Sequence, residues 1–196
     1  EGFSFATPTE FVELPTKGKF YSSDSPLHNA ETIEIKYMTA KDEDILTSKS
    51  LLKKGIAVDR LLQNVIVDKS IDIEELFVGD KNALLVATRI TGYGADYETR
   101  ITCPVCNSTV DHCFDLSEVE TVNVDNLDEG VTVNENNNFV IALPKTKVKV
   151  ETRLLNGKDE KAMLFMNEKR RKNKLPEASL TDHFKYKSSL SAEEHQ

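Results

Sequence analysis

The chain of 196 residues has no tryptophan and only three cysteines. It also lacks any apolar run approaching the roughly 18 residues that a membrane span needs. Its first residues do not combine a basic region with an apolar stretch, so we expect no secretory signal. An odd number of cysteines without an export signal is typical of a protein in a reducing compartment, which excludes a disulfide-stapled fold. At this length, hydrophobic packing alone can hold a core in one large or two small domains.

Basic side chains are missing from the middle of the chain. Residues 101–144 contain eight acidic residues and no lysine or arginine, whereas residues 145–187 contain 13 basic and six acidic residues. The whole chain carries a formal net charge of −8. The basic stretch can bind nucleic acid, the acidic middle of the chain, or an acidic partner protein. We disfavour nucleic acid because no recognised nucleic-acid-binding module accompanies the basic residues.

Residue patterning predicts an α+β protein in four parts. Residues 1–30 are rich in turn formers and indicate an extended N-terminal strap. Residues 31–94 predict a strand plus a helical domain, with the helical group at about residues 39–94. Residues 95–155 predict a β-rich domain that opens with a zinc-ribbon-like CPxC hairpin. Residues 156–196 predict a basic C-terminal helix and a flexible tail.

Two helix-start signals lie in the helical group. Thr39, followed three residues later by Asp42, forms a capping pattern, and Asp80 is placed to cap a second helix over residues 81–91. Apolar positions at helical spacing on that second helix predict the residues that face the core, which are Leu84, Leu85 and Ile90.

The most specific local motif is the CPVC turn that Cys103 and Cys106 bracket. Zinc requires four nitrogen or sulfur ligands, and a CxxC turn supplies two. A zinc ribbon would add one of His112 and Cys113, whose side chains point to opposite faces of a strand, and a distant ligand such as His28. The alternative is a hairpin turn with free thiols, which the incomplete ligand count favours. Zinc is therefore an optional cofactor, and the sequence requires none.

The sequence contains no recognisable catalytic arrangement. It lacks a metalloprotease HExxH, a nucleophile elbow and a phosphate-binding loop, and its paired acidic residues lie at helix starts, where capping explains them. We therefore predict that the chain is not an enzyme and that it acts by binding. The candidate interaction residues are Phe11, Leu14, Phe20 and Tyr21 in the strap and Lys169, Arg170, Arg171 and Lys172 in the basic helix.

Several segments, in this order along the chain, together resemble a known family. They are FVELPTKGKFY at 11–21, EIKYMTAKDEDIL at 34–46, LLKKG at 51–55, VDRLL at 58–62, VGDKNA at 78–83, RITGYG at 89–94, CPVC at 103–106, FDL at 114–116, RLL at 153–155 and KDE at 158–160. The family is that of the baseplate hub subunit and baseplate hub assembly proteins of T-even-like contractile-tailed phages. The order of the segments is more specific than any one of them, and the resemblance extends over residues 10–160.

The resemblance implies a non-enzymatic structural or chaperone-like factor in the assembly of the baseplate hub. The implied partners are other baseplate hub proteins or a second copy of the chain. The implied location is the host cytoplasm during assembly, followed by release or by retention in the tail baseplate of the virion. The residues alone leave one alternative open, a zinc-ribbon adaptor that binds nucleic acid through the basic helix.

Overall fold

A computed structural model of the protein describes residues 7–120, 127, 130–176 and the backbone of 187–188. Helices and small antiparallel sheets both occur, which confirms the predicted α+β class. The helices are α1 (Ala40–Thr47), α2 (Lys49–Lys53), α3 (Ala57–Val65), α4 (Val78–Tyr93) and α5 (Gly157–Lys172). The strands are β1 (Thr9–Glu13), β2 (Thr32–Lys36), β3 (Asp96–Thr102), β4 (Thr109–Asp115), β5 (Val131–Val133), β6 (Phe139–Ala142), β7 (Lys149–Thr152) and β8 (Lys187–Ser188).

The hydrophobic core lies within residues 14–84, where the strap, β2, α3 and α4 meet. Strand β2 alternates and turns Ile33 and Ile35 inward. Helix α3 presents one apolar stripe, so that its buried face is a row of aliphatic side chains. The side chains that are almost completely buried include Leu14, Ile35, Leu62, Val65, Ile66, Leu76 and Leu84.

The predicted capping pattern at the start of α1 is confirmed. The backbone N–H and the hydroxyl of Thr39 donate to one carboxylate oxygen of Asp42, at 2.8 and 2.6 Å. The other oxygen accepts from the side-chain amide of Asn64 in α3. Asp42 is fully buried, and these hydrogen bonds replace the water that its carboxylate loses on folding. The cap of α1 is therefore also its attachment to α3.

The prediction that Asp80 caps a helix is wrong. Helix α4 begins at Val78, so Asp80 is its third residue. The fully buried carboxylate of Asp80 accepts from the backbone N–H of Thr16 at 3.0 Å, from the Thr16 hydroxyl at 2.7 Å and from the Tyr21 hydroxyl at 2.7 Å. Because these partners come from the strap, Asp80 joins the strap to α4 instead of capping the start of the helix.

The core-facing side of α4 is narrower than the sequence predicts. Leu84 is fully buried. Leu85 is half-buried and packs against the core, whereas Ile90 is half-buried and lies outside the core cluster. Gly94, with a φ of 85°, follows the last residue of the helix.

Helix α5 is attached to the helical group by its first turns. The backbone N–H of Gly157 donates to the carbonyl of Leu76 at 3.1 Å. The ammonium of Lys81 lies 2.7 Å from a carboxylate oxygen of Asp59 in α3 and 2.7 Å from one of Glu160 in α5. Burial opposes the charge on Lys81, but the hydrogen bonds that its ammonium donates to these two carboxylates outweigh it and raise the pKa of the lysine. The buried cation therefore joins three helices.

Strand β1 pairs with β2 and β3 with β4, and a four-stranded sheet pairs its strands antiparallel in the order β5-β6-β7-β8. The rings of Phe20 in the strap and Phe139 in β6 lie 5.0 Å apart between their centroids, which connects this sheet to the strap. Within the described ranges, every helix is too short or too polar to cross a bilayer.

Candidate functional site

Strands β3 and β4 form a two-stranded ribbon, defined here as residues 96–115, with little of its surface covered by the rest of the chain. The strands pair in antiparallel register from Asp96 opposite Asp115 to Thr102 opposite Thr109. Every residue of β4 is exposed, and all of β3 except Thr99 is exposed. An isolated two-stranded ribbon is marginally stable in water, so a surface of this kind gains stability when another layer covers it.

The ribbon has one apolar and one polar face. Residues directly opposite each other in an antiparallel pair project to the same face. The pair Tyr97 with Phe114 and the pair Ile101 with Val110 therefore share a face, and their exposed fractions are 46, 44, 43 and 59%. The other face carries charged pairs such as Arg100 with Asp111, whose side chains form an ion pair at 2.7 Å. An exposed apolar face opposite a charged one is typical of a surface that binds another protein.

The base of the ribbon is held by α4. The Arg89 guanidinium donates to the carbonyl of Gly94 at 2.8 Å and to the carbonyl of Asp96 at 3.1 Å. The same guanidinium lies over the rings of Tyr93 and Tyr97, at 5.1 and 6.0 Å from their centroids. Arg89 thus contacts both the end of α4 and the start of β3. These contacts fix the direction in which the ribbon leaves the body.

The CPVC turn lies at the tip of the ribbon, with Cys103 half-buried and Cys106 exposed. The backbone N–H of Asn107 donates to the carbonyl of Cys103 at 2.9 Å, and Asn107 adopts a φ of 55°. The Cys106 sulfur lies 3.0 Å from the Ser108 hydroxyl oxygen. Hydrogen bonds from the side chain and backbone of Ser108, and then from Cys103, lower the pKa of Cys106 to about 7. The turn therefore favours a thiolate at the tip.

The other candidate zinc ligands lie away from this turn. His112 pairs with Thr99 and stacks edge-on against the ring of Phe114, and Cys113 projects to the opposite face. His28 lies in the strap, where its Nδ1 is 2.9 Å from the carbonyl oxygen of Tyr21. Among the described residues, no group of three or more histidine, cysteine or acidic side chains is arranged to hold a metal ion.

The second half of α5 carries the predicted basic residues on an exposed surface. The exposed fractions of Leu164, Phe165 and Met166 are 54, 60 and 38%. The ammonium of Lys169 lies 4.4 Å from the centroid of the Phe165 ring, and Arg170 donates to the carbonyl of Pro176 at 2.6 Å. The exposed apolar residues are followed directly by a cationic helix end, which is composed of Lys169, Arg170, Arg171 and Lys172.

The four candidate residues of the strap lie in different surroundings. Leu14 and Tyr21 are buried in the chain's own core. Burial, followed by the nearby Asp80 carboxylate, raises the pKa of Tyr21 well above its ordinary value. Phe20 is half-buried against the four-stranded sheet, and Phe11 on β1 has an exposed fraction of 69%. Of the four, Phe11 offers the most surface to a partner.

The apolar face of the ribbon was not identified from the sequence as a site. The signal is visible, because Tyr97, Thr99 and Ile101 alternate with Glu98 and Arg100. Alternation predicts that one face of a strand is buried, but it does not say whether the covering layer belongs to the same chain.

A family model described as T4 bacteriophage base plate protein matches residues 7–143. The match includes the strap, the helical group and the ribbon, and it ends before α5. No curated protein and no solved structure matches the chain significantly.

Proposed function

The chain belongs to the family of T4 bacteriophage base plate proteins, and from this premise we propose that it is a non-enzymatic structural or assembly factor of the baseplate hub. It acts by protein-protein contact, with other hub proteins as its partners. The main support is that the apolar face of the ribbon remains exposed, although the chain buries a hydrophobic core elsewhere.

The buried charged groups support a binding role over a catalytic one. Asp42 is bonded to Thr39 and Asn64, Asp80 to the strap, and Lys81 to two carboxylates. Each of these groups already joins two or more segments of the fold. Their burial is therefore explained by packing, without a substrate.

The basic end of α5 adds an electrostatic contribution to the proposal. It lies outside the family match and carries four consecutive cations on an exposed helix end. Opposite charges on two surfaces increase the rate of encounter and fix the orientation more than they increase affinity. We infer that this end orients the chain on an acidic surface of a hub protein or of a second copy.

The proposed role also sets where the chain is found during phage assembly. The chain would act in the host cytoplasm while the hub is assembled and would then either leave or stay in the tail baseplate. A chaperone-like factor leaves the finished particle, whereas a structural subunit remains in it. The alternative adaptor that binds nucleic acid stays a prediction, because no observation on the described residues favours it.

Substitutions on the two faces of the ribbon test the proposal. In the double variant I101T/V110T, threonine keeps the branched shape and the strand preference but makes the apolar face polar. We expect this variant to lose co-purification with hub proteins from phage-infected cells. The matched control R100T/D111T alters the neighbouring cross-strand pair on the polar face. We expect this control to co-purify with hub proteins as the unaltered chain does. Equal recovery of hub proteins with both variants would contradict the proposal.

A charge reversal tests the electrostatic part separately. The triple variant R170E/R171E/K172E should associate more slowly with the hub partner at low salt, where surface charges act most strongly. Its core should stay folded, since these side chains lie outside it. The control K49E/K53E/K54E makes the same change in charge on three exposed lysines, two in α2 and one directly after it. An association rate that is equal in the two triple variants would contradict an orienting role for α5.

A further inference from the structure

The tip of the ribbon carries two cysteines, Cys106 exposed and Cys103 half-buried, in a turn that backbone hydrogen bonds already order. The backbone N–H of Cys103 donates to the carbonyl of Ser108 at 2.9 Å, and that of Asn107 donates back to the carbonyl of Cys103 at 2.9 Å. The Ser108 hydroxyl oxygen lies 3.0 Å from the Cys106 sulfur. Donors that face a sulfur atom, as in the outer shell of thiolate metal sites, orient the ligand before the metal arrives.

The described part of this chain supplies only two ligands for such a metal. His112 is paired with Thr99, which precedes Cys103 by four residues, or about 13 Å along a strand. Cys113 lies one residue further away and projects to the other face. A zinc-sulfur bond is about 2.3 Å long, so neither side chain reaches an ion held at the tip.

We propose that Cys103 and Cys106 hold half of a zinc site, which the same two residues of a second copy of this chain complete. The resulting site has four thiolates, which is a common ligand set for structural zinc. The proposal does not depend on the proposed role in the baseplate.

A second copy fits this position because the tip is open. Val105, between the two cysteines, has an exposed fraction of 92%, and the strands that lead to it are exposed along their length. An identical turn can therefore approach the tip from outside the body of the chain. A two-fold axis relates the two copies in such a contact, and the assembly is complete at two chains. Two ligands from each chain then give the four that zinc requires.

The test measures metal content and molecular mass on the full chain under reducing conditions. With zinc added and excess removed, we expect one zinc ion for two chains and a mass twice the 22.0 kDa of the chain. A chelator should remove the zinc and return the mass to that of the monomer. The single variants C103S and C106S should each lose both the zinc and the dimer, and the control C113S should keep both.

Cobalt binding to the unaltered chain gives a second readout that does not depend on how the variants fold. Four thiolate ligands should give the strong visible absorption of a tetrahedral sulfur site. One zinc ion per monomeric chain, zinc binding that is lost in C113S, no zinc binding, or a dimer that survives the chelator would each overturn the proposal.

Discussion

The substitution Tyr21→Phe removes one oxygen atom from the junction between the strap and α4. The Tyr21 hydroxyl donates to the Asp80 carboxylate at 2.7 Å and accepts from the backbone N–H of Phe77 at 3.1 Å. Phenylalanine keeps the ring, whose centroid lies 4.4 Å from that of Phe77, so packing is preserved. Only the two hydrogen bonds are lost. The Asp80 carboxylate that loses one of them is fully buried, and Phe77, whose N–H loses the other, is half-buried.

The expected cost follows from the charge on Asp80. A hydrogen bond to a charged group contributes more than a neutral one, and an unpaired buried N–H adds its own penalty, so we expect a loss of about 2–4 kcal/mol. Urea denaturation of the variant and of the unaltered chain measures the difference in the free energy of unfolding. The control Tyr97→Phe, on a ring with an exposed fraction of 46%, should change it by less than about 0.5 kcal/mol. Equal stabilities for the two variants would refute the role of this hydroxyl.

Four further predictions concern the core, the strap, helix α4 and the Cys106 thiol. Leu84→Ala should cost about 2–5 kcal/mol in thermal or urea unfolding because Leu84 is fully buried, and half-buried Leu85→Ala should cost less. Gly18→Ala should destabilise the chain, since φ is +70° and a Cβ would lie 2.3 Å from a backbone nitrogen. Gly79→Ala in α4, where a Cβ meets nothing within 4 Å, should stabilise it by about 0.4–1 kcal/mol. Alkylation of Cys106 should accelerate as the pH rises through about 7, because its thiolate forms there; a rate that rises only near the ordinary thiol pKa would contradict the hydrogen bonding at the tip.

Local sequence signals predict the helical group better than its connections. The pattern that joins Thr39 to Asp42 depends on neighbours in the chain, and it is confirmed. Asp80 shows the opposite case, because its hydrogen-bond partner Thr16 lies 64 residues away. An acidic residue near a helix start looks like a cap when only its neighbours are known, and only the packed strap reveals its actual partners.

The same distinction applies to the candidate site. Alternation along the strand that contains Tyr97 and Ile101 predicts two faces, but burial by a partner and burial by the chain's own core produce the same pattern. The strap shows the converse, because Leu14 and Tyr21 are large apolar residues in an irregular segment and both are buried in the core. Apolar composition alone therefore did not identify the exposed surface.

The proposed role requires that a hub protein covers the apolar face of the ribbon. Hydroxyl-radical footprinting of the free chain, and of the complex recovered from phage-infected cells, measures this directly through oxidation of Tyr97 and Phe114. We expect both rings, which are 46 and 44% exposed in the free chain, to be protected in the complex, while Leu52 in α2, at 55%, serves as an internal reference. Oxidation of Tyr97 and Phe114 at the same rate in the complex and in the free chain would contradict the proposed role.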